Sequence, residues 1–376
     1  MAQYSGLMTP ATGPLAGLVV ADFSRVLAGP YATMMLGDMG ADVIKIERPE
    51  IGDDTRSWGP PYDSAGTATY FNSVNRNKTS KFLDLQSESG VAEAREIVSG
   101  ADIVIENFRA GTMDRLGLGY STVSQSNRGL IYCSISGFGT GGGAALPGYD
   151  LVVQAVGGLM SVTGPDASTP TKVGVAMVDI VTGLHALSGI LAALHHRSQT
   201  GAGQQVHTSL MASVLSALSN QSAAYLGAGV VPVPMGNKHP SLVPYEVFET
   251  ADRPLALAVG NDRQFAALVE VLGLPALAED DRFSSNSARV EHRDHLVDAL
   301  TSALRARTAD EWYRDLMARN VPAGPVNSIE EAFAFAESLG LEPRVQVPGS
   351  VADGVRNPLD FSATPVNYRL PPPAGT

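Results

Sequence analysis

A single carboxylate, Asp179, interrupts an otherwise apolar stretch of the sequence over residues 173–181. Burying an unpaired charge costs several kcal/mol, so an aspartate in this place needs a structural or a chemical reason. As a structural residue it would cap the long apolar helix pattern that follows it, because aspartate is a favourable N-cap. As a chemical residue it would be a reactive carboxylate, stabilised by the positive end of the same helix. From this stretch alone, both interpretations remain open.

Several short motifs accompany Asp179 in a fixed order along the chain. They combine glycines, prolines and charged side chains, and they lie at residues 22–30, 37–49, 52–56, 75–78, 106–108, 114–117, 148–150 and 236–240. Each motif is a weak signal by itself, but their order and spacing resemble the family III CoA-transferases from about residue 14 to the end. That family includes formyl-CoA transferase and, as a relative, α-methylacyl-CoA racemase. Residues 52–56, 58–61 and 74–78 are most similar to dicarboxylate-using members such as succinyl-CoA–glutarate CoA-transferase.

The resemblance implies an enzyme that moves CoA from an acyl thioester, here succinyl-CoA, to a free carboxylate, and it places the covalent relay on Asp179. The Asp179 carboxylate would form a mixed anhydride with the acyl group, and the released CoA thiolate would convert this anhydride into an aspartyl-CoA thioester. The scheme requires backbone N–H groups that stabilise oxyanions. The loop 137–143, which contains Gly139, and the Gly236-Asn237 turn are both candidates, and the sequence does not distinguish them.

The family's contacts with CoA fall on six positions of this chain when motif is matched to motif. They are Val26, Arg48, Lys78, Asn107, Phe108 and Arg115. The three basic residues suit phosphates, and the phenylalanine could flank the adenine or the pantetheine arm. Leu27 and Ser136 stand where formyl-CoA transferase has glutamine and lysine, which disfavours formyl or oxalyl transfer.

The acyl substrate is expected to contact a second group of residues. Arg76 lies in a motif shared with dicarboxylate-using relatives and is interpreted as binding a distal carboxylate. A CoA phosphate contact and a structural ion pair are the alternatives for this arginine. Tyr149, Gly139, Asn237 and His239 complete the group implied by the resemblance, although the histidine by itself is typical of a hydrogen-bonding loop residue.

Two other functions compete with CoA transfer. A racemase needs two bases on opposite faces of a carbon, and Tyr149 stands where the racemase has its histidine. A phenol with a pKa of about 10 is a poor base near neutral pH, so the sequence favours transfer over racemisation. A non-catalytic CoA-binding protein is the third alternative, and the intact Asp179 argues against it.

The composition, 44% hydrophobic and 17% charged, is typical of a soluble globular protein. A net charge of −12 disfavours nucleic acid and anionic membrane surfaces as partners. Cys133 is the sole cysteine, and no histidine–carboxylate spacing indicates a metal site. Residues 1–14 lack a signal-peptide pattern, and the apolar residues 183–194 are too few for a membrane span. We therefore expect a cytoplasmic enzyme without a metal or a permanently bound cofactor, with CoA as a substrate.

Apolar strands alternate with helical stretches over residues 17–140, a pattern typical of a parallel sheet covered by helices. The glycine-rich residues 137–143 follow one of these strands and are interpreted as a loop, because Pro147 interrupts the helix that a dinucleotide site needs. Residues 181–198 and 206–227 are predicted to be two long helices.

Residues 228–244 are rich in proline and glycine and indicate a domain boundary. We therefore predict an α/β fold with a Rossmann-like large domain over residues 1–227 and a smaller α+β domain over residues 228–325. Residues 326–376 are predicted to return and complete the large domain. The resemblance implies in addition that two chains form an interlocked homodimer.

Overall fold

The computed structural model describes residues 12–375, and these residues form two compact units. The first unit contains residues 12–160, 172–232 and 342–375, and the second contains residues 161–171 and 233–341. Each unit is therefore discontinuous in sequence. The short segment 161–171 belongs to the second unit although both of its neighbours along the chain belong to the first.

Within the described residues, the first unit contains a six-stranded sheet in which every strand pair is parallel. Its strands are β1 (Val19–Asp22), β2 (Asp42–Glu47), β3 (Lys78–Phe82), β4 (Ile103–Glu106), β5 (Ile131–Ser136) and β6 (Gln205–Ser209). The order β3-β2-β1-β4-β5-β6 is that of a doubly wound fold, so the predicted parallel α/β sheet is confirmed. The strand order reverses between β1 and β4, and ligands of such sheets bind at the carboxyl ends of these two strands.

The sheet is accompanied by the helices of the first unit. They are α1 (Ala28–Asp38), α2 (Thr69–Asn72), α3 (Glu88–Ser99), α4 (Thr112–Arg115), α5 (Tyr120–Val123), α6 (Asp150–Val156), α7 (Met177–Thr200), α8 (Leu210–Ala217) and α9 (Ser219–Ala228). The start of α1 lies close against α7, because a Cβ atom at Gly183 would lie 2.6 Å from the carbonyl oxygen of Ala28. Glycine at this position therefore permits the close approach of the two helices.

Helix α7 is the one helix within residues 12–375 that is long and apolar enough to cross a membrane. Its buried side chains, among them Ala186, Ile190 and Ala193, belong to the same core cluster as Val20 of β1 and Ile131 of β5. These contacts are those of a core helix that packs against a sheet.

The predicted helix over residues 206–227 is wrong at its start. Residues Gln205–Ser209 form β6, which pairs in parallel with β5, and helices α8 and α9 follow it. Val206 and Thr208 are β-branched, and such side chains favour strands over helices. The apolar pattern from Leu210 onwards is helical, and it conceals the change from strand to helix between Ser209 and Leu210.

The second unit combines a small sheet with helices. Its antiparallel strands are β7 (Tyr245–Phe248), β8 (Leu255–Ala258) and β9 (Ala323–Pro325). Its helices are α10 (Asp262–Val271), α11 (Asn286–Glu291), α12 (Arg293–Leu304), α13 (Ala309–Ala318) and α14 (Ile329–Ser338). Phe248, Phe265, Leu300 and Trp312 are buried in one apolar cluster, so this unit has a core of its own.

The chain returns to the first unit at residue 342, where the sequence analysis had placed the return at residue 326. Helix α14 stays with the second unit, since Glu331 at its start forms an ion pair with Arg253 at 2.8 Å. The returning segment contains a short hairpin, β10 (Arg344–Val345) and β11 (Gly354–Val355). It then joins the first unit through backbone hydrogen bonds, including one of 2.7 Å from Asn367 to Asp38.

Candidate active site

The start of α7 is capped by a carboxylate from another helix. The Oδ1 atom of Asp150, the first residue of α6, accepts the backbone N–H groups of Val178 (2.8 Å) and Asp179 (3.1 Å). N–H groups in the first turn of a helix lack partners within that helix, so Asp150 supplies the cap. Asp179 is the third residue of α7 and does not cap it. The interpretation of Asp179 as a helix cap is therefore wrong, and its side chain is free for chemistry.

Asp150 is held in place by Gln154, which lies one turn later in α6. Gln154 is only 1% exposed and donates an amide N–H to the second carboxylate oxygen of Asp150. The Oε1 atom of Gln154 accepts the backbone N–H of Val173 at 2.9 Å. The segment before α7 and the first turn of α7 are thus both fixed by the same pair of side chains.

The Asp179 carboxyl is half-buried, and no group among residues 12–375 donates a hydrogen bond to it. Burial, followed by the negative charge of Asp150, raises the pKa of Asp179 to about 7. The positive end of α7 acts in the opposite direction, but a helix terminus contributes only about 0.3–1 kcal/mol, less than one pKa unit. Near neutral pH this carboxyl is partly ionised, and its oxygens are unshared and can attack a carbonyl.

Tyr70 in α2 is a neighbour of Asp179 that the sequence analysis did not identify. Burial and the nearby carboxylates of Asp179, Asp150 and Asp53 raise the pKa of Tyr70 to about 12. The phenol therefore stays protonated and can act as a hydrogen-bond donor. Its ring packs edge-on against Trp58 with the centroids 5.3 Å apart, which restricts its position. Trp58 belonged to a recognised motif, whereas Tyr70 follows no local pattern.

Two arginines share one carboxylate near the predicted CoA contacts. Asp54 lies 2.6 Å from the guanidinium of Arg48 and 3.5 Å from that of Arg25. Arg25 also lies over the ring of Phe108, 5.0 Å from its centroid. Two guanidiniums and one carboxylate leave a net charge of +1 at a partly exposed position, which suits a phosphate. Arg48 and Phe108 were predicted as contacts with CoA, but Arg25 was missed.

Arg115, the second arginine among the three predicted phosphate ligands, is exposed on α4. Its recorded side-chain partner is the hydroxyl of Thr112 at 3.0 Å. This bond leaves most of its five N–H groups available to a ligand. The prediction for Arg115 is therefore compatible with the structure.

A cavity of about 250 Å³ lies at the carboxyl ends of β4 and β5. Its lining includes Phe108 and Gly139, predicted site residues from separate motifs, together with Glu106, Ser134 and Ser136. Burial raises the pKa of Glu106, while hydrogen bonds from Ser134 and from the Phe108 backbone oppose that rise. The N–H of Gly139 donates to the Ser136 hydroxyl at 3.0 Å. This N–H is therefore already used, and Gly139 is not a free oxyanion donor.

The predicted contact of Lys78 with a CoA phosphate is not supported by the structure. Its side chain has no exposed surface, and its ammonium donates to Asp22 (3.2 Å), to the carbonyl of Pro30 (2.9 Å) and to Asn75 (3.0 Å). An ammonium has three protons, and all three have acceptors here. Burial lowers the pKa of Lys78 to about 8 despite the attraction of Asp22. Lys78 is a buried structural cation.

The predicted role of Arg76 as a carboxylate clamp for the substrate is likewise not supported. Arg76 is 5% exposed and forms an ion pair of 2.6 Å with Asp38 at the end of α1. It also donates to the carbonyl of Val355 at 2.9 Å and lies over the ring of Tyr368. The structural ion pair, one of the two alternatives considered, describes this arginine. It joins the returning segment 342–375 to α1 within the first unit.

Asn107, which follows β4, binds the loop after β1 that contains Arg25 and Val26. The amide of Asn107 accepts the N–H of Arg25 at 2.9 Å and donates to the carbonyl of Arg25 at 2.7 Å. Val26 itself has a φ of +71°, a left-handed conformation that costs a β-branched residue about 1–2 kcal/mol. Asn107 thus binds the protein's own backbone, and its predicted role as a direct contact with CoA requires revision.

The remaining predicted residues fall in both units. Tyr149 is 61% exposed and directly precedes α6. Asn237 is exposed in the second unit. His239, also in the second unit, accepts the N–H of Ser241 at 3.0 Å through Nδ1, as expected for a hydrogen-bonding loop residue. The carbonyl of His239 accepts a bond of 2.6 Å from Arg293, which fixes the loop further.

Among residues 12–375, no group of three or more His, Cys, Asp or Glu side chains is arranged so that it could hold a metal ion. The single cysteine, Cys133, is buried in β5, and burial raises its thiol pKa to about 12. A thiol in this state is a poor nucleophile. Asp179 is therefore the strongest candidate for covalent chemistry within residues 12–375.

Comparison with known proteins identifies the family. The model of CoA-transferase family III matches residues 15–376. The chain is 44% identical over 369 residues to a succinate–glutarate CoA-transferase of Agrobacterium fabrum, covering 96% of this chain and 92% of that protein. It is 39% identical over 364 residues to a succinyl-CoA:glutarate CoA-transferase of Mus musculus, covering 96% and 83% respectively. A crystal structure of a CAIB/BAIF family protein from Brucella suis matches with a TM-score of 0.87 and 41% identity, covering 97% of both chains. The resemblance seen in the motifs is thus confirmed, and the chain belongs to the family III CoA-transferases.

Proposed function

We propose that this CoA-transferase moves CoA from succinyl-CoA to a free dicarboxylate, with glutarate as the first acceptor to test, through covalent intermediates on Asp179. The observation that carries the proposal is the state of Asp179 at the start of α7. Its carboxyl has no hydrogen-bond donor among residues 12–375 and a pKa of about 7. A carboxylate with a raised pKa is more nucleophilic than an ordinary aspartate, and about half of it is ionised at pH 7. The acids are proposed from the names of the two curated relatives.

The reaction proceeds through four balanced steps. The Asp179 carboxylate attacks the succinyl thioester carbonyl, the C–S bond breaks, and a mixed anhydride and CoA thiolate are formed. The thiolate attacks the aspartyl carbonyl of the anhydride, so that succinate leaves and an aspartyl-CoA thioester remains. The acceptor carboxylate attacks this thioester and expels the thiolate again. The thiolate finally attacks the acceptor carbonyl of the second anhydride, which releases the new acyl-CoA and regenerates the Asp179 carboxylate.

Tyr70 has a supporting role in this proposal. Each step develops negative charge on a carbonyl oxygen near Asp179, and a neutral phenol can donate a hydrogen bond to such an oxygen. The Tyr70 pKa of about 12 keeps the proton on the phenol throughout the neutral range. Because thiolates leave without protonation near their pKa of about 8.5, no general acid is required.

Transfer is tested by incubating the enzyme with succinyl-CoA and glutarate and following glutaryl-CoA by mass spectrometry. We expect Asp179→Asn to lose at least three orders of magnitude in turnover while it still binds CoA. Asp294→Asn is the matched control, because Asp294 also lies in the first turn of a helix, α12. Succinyl-CoA alone should add the mass of CoA minus water to residue 179 of the wild-type protein. Turnover of Asp179→Asn within tenfold of wild type contradicts the proposal.

Incubation of the enzyme with a chiral acyl-CoA in heavy water separates transfer from racemisation. A racemase would introduce deuterium at the α-carbon of a chiral acyl-CoA, and it needs a base in addition to Asp179. Tyr149, at the racemase base position, is largely exposed. We expect no deuterium exchange on the time scale of transfer. Exchange at a comparable rate would require the racemase function instead.

We also propose that the enzyme is a homodimer, in the interlocked arrangement that its family resemblance implies. Large apolar side chains on α6 and α9 are exposed in the single chain, including Val156 (60%), Tyr225 (57%) and Leu226 (81%). Exposed apolar surface of this kind favours burial against a partner. Light scattering after size-exclusion chromatography should give twice the chain mass, and Leu226→Glu should lower it. A wild-type protein that is monomeric at micromolar concentration excludes the dimer.

A further inference from the structure

The loop Ser24–Val26 lies at the switch point of the sheet. It follows β1, and Asn107 follows β4, the strand that pairs directly with β1. The chain continues from β1 to β2 on one side and from β4 to β5 on the other. The carboxyl ends of these two strands border the crevice in which doubly wound sheets bind their ligands. The conformation of this loop therefore determines what the crevice presents to a ligand.

Three side chains, those of Lys45, Asn107 and Asp53, hydrogen-bond to the backbone of this loop. The ammonium of Lys45 in β2 donates to the carbonyl of Ser24 at 3.0 Å. Asn107 binds both backbone groups of Arg25, the N–H at 2.9 Å and the carbonyl at 2.7 Å. Asp53 lies 3.4 Å from the N–H of Val26, which is a long hydrogen bond.

Two of these three side chains form an ion pair that is completely buried. Lys45 and Asp53 are 2.8 Å apart, and neither side chain has exposed surface. Asp53 accepts further bonds from the N–H (3.0 Å) and hydroxyl (2.7 Å) of Thr55, and its own N–H donates to Glu47. A buried pair with this many additional hydrogen bonds is rigid, because movement of either partner leaves an uncompensated charge.

The loop is held in a conformation that its sequence does not favour. Val26 has a φ of +71°, in the region that glycine adopts readily and β-branched residues avoid. Such strained residues persist only where their surroundings determine the backbone, and they cluster at functional sites. The side chain of Arg25, next to the strained residue, is partly exposed beside Asp54 and Phe108.

We propose that Asn107, Lys45 and Asp53 are positioning residues, which hold Ser24–Val26 in a strained conformation that presents the Arg25 guanidinium to the anionic part of acyl-CoA. The inference rests on the proposed function, since it takes acyl-CoA as the ligand. It also changes the role of Asn107 from a direct CoA contact to a positioning residue. The Asn107 amide hydrogen-bonds to the Arg25 backbone and affects the ligand only by holding that backbone in place.

A double-mutant cycle between Asn107 and Val26 tests the proposal by titration calorimetry with free CoA. Asn107→Ala removes two hydrogen bonds and should weaken CoA binding about 5- to 100-fold. In the Asn107→Ala background, Val26→Gly should recover at least about threefold in affinity, because glycine adopts the left-handed conformation without the clamp. Asn127→Ala is the matched control. Its amide also holds a backbone carbonyl, that of Ala101 at 2.9 Å, but before β4 rather than after it.

Hydrogen exchange of a peptide covering residues 22–30 provides a readout that does not depend on CoA. Asn107→Ala should accelerate exchange in this peptide, and Asn127→Ala should not. The proposal is overturned if Asn107→Ala leaves both the CoA affinity and the exchange rate unchanged, or if the effects of Asn107→Ala and Val26→Gly on affinity are simply additive. A wild-type protein that binds no CoA rejects the proposed function instead, and the exchange experiment then still tests the clamp.

Discussion

The Oδ1 atom of Asp150 lies 3.1 Å from the backbone nitrogen of Asp179 and accepts its N–H. Asp150 thus fixes the first turn of α7, the helix that carries Asp179. The same arrangement brings a negative charge close to the Asp179 carboxyl and contributes to its raised pKa. Position and reactivity of Asp179 are therefore coupled through a single neighbouring side chain.

This coupling predicts the effect of Asp150 on the pH dependence of transfer. The attacking species is the ionised Asp179, so kcat/KM should rise with pH through a midpoint near its pKa of about 7. Asp150→Asn removes a negative charge but keeps an oxygen that can accept the N–H groups of α7. We expect its midpoint to lie below that of wild type, though still above the range of an ordinary aspartate, because burial is the larger cause. Rate profiles between pH 5 and pH 9 measure both values, and identical midpoints would contradict the coupling.

The raised pKa of Asp179 also predicts a gain in stability when its charge is removed. A carboxyl with a higher pKa in the folded than in the unfolded state binds more protons when folded, so its contribution to stability falls as pH rises from about 4 to about 7. Asp179→Asn should therefore raise the free energy of unfolding by about 1–3 kcal/mol at pH 8, a range reduced to allow for partial exposure. At pH 4 the gain should largely vanish. The measurement is denaturant unfolding at pH 4 and at pH 8, with Asp294→Asn as the control. An equal gain at both values would assign the effect to packing.

Arg48 and Lys78 should differ in what their removal changes. Arg48 is exposed and shares Asp54 with Arg25, so Arg48→Ala should weaken CoA binding by about 1–2 kcal/mol and leave the melting temperature nearly unchanged. Lys78→Met leaves Asp22 buried without its cation and should destabilise the fold by about 3–5 kcal/mol.

Calorimetry with CoA and thermal unfolding of both variants distinguish these outcomes. If Lys78→Met does not fold, Lys78→Met combined with Asp22→Asn keeps the pair neutral and allows the affinity to be measured. Normal stability of Lys78→Met together with a loss of CoA affinity would restore its predicted phosphate contact.

Arg76 should contribute to folding and not to the choice of acceptor. Arg76→Met removes the ion pair with Asp38 and the bond to Val355, at a cost of about 3–5 kcal/mol in the free energy of unfolding. In the folded fraction, kcat/KM for glutarate and for pentanoate should change by the same factor. A selective loss with glutarate would instead make Arg76 a substrate ligand. The pair Arg76→Met with Asp38→Asn serves as the neutral control.

The sequence predicted the parallel sheet correctly because its signals are local. Strands such as Ile103–Glu106 are short apolar runs, and their alternation with helices determines the architecture. The boundary at Gln205 was missed because a β-branched strand runs directly into an apolar helix, and the two periods overlap. The second unit extends to residue 341 because of contacts such as the ion pair between Arg253 and Glu331. These residues are far apart in sequence, so no local pattern predicts their contact.

Some exposed motif residues lie in one cluster in the structure, whereas the partners of the buried residues were not predicted from the sequence. Arg48 and Arg25 share Asp54, and Arg25 lies over Phe108, so two predicted CoA contacts belong to one cluster, while their binding to CoA stays a prediction. Arg76 was assigned to a ligand because its partner Asp38 is 38 residues away, and a sequence does not show which charges neutralise each other. The capping of α7 by Asp150 was missed for the same reason, since 29 residues separate donor and acceptor.

The division of the chain has a consequence for the order in which the protein can be made. All residues of the second unit precede residue 342, whereas the first unit needs the segment that follows it. Asp38 receives its partners Arg76 and Asn77 early, but Asn357 is synthesised only after the whole of the second unit. On a ribosome the second unit is therefore complete first. The first unit, which carries Asp179 in α7, reaches its final set of contacts only after residues 342–375 have left the ribosome.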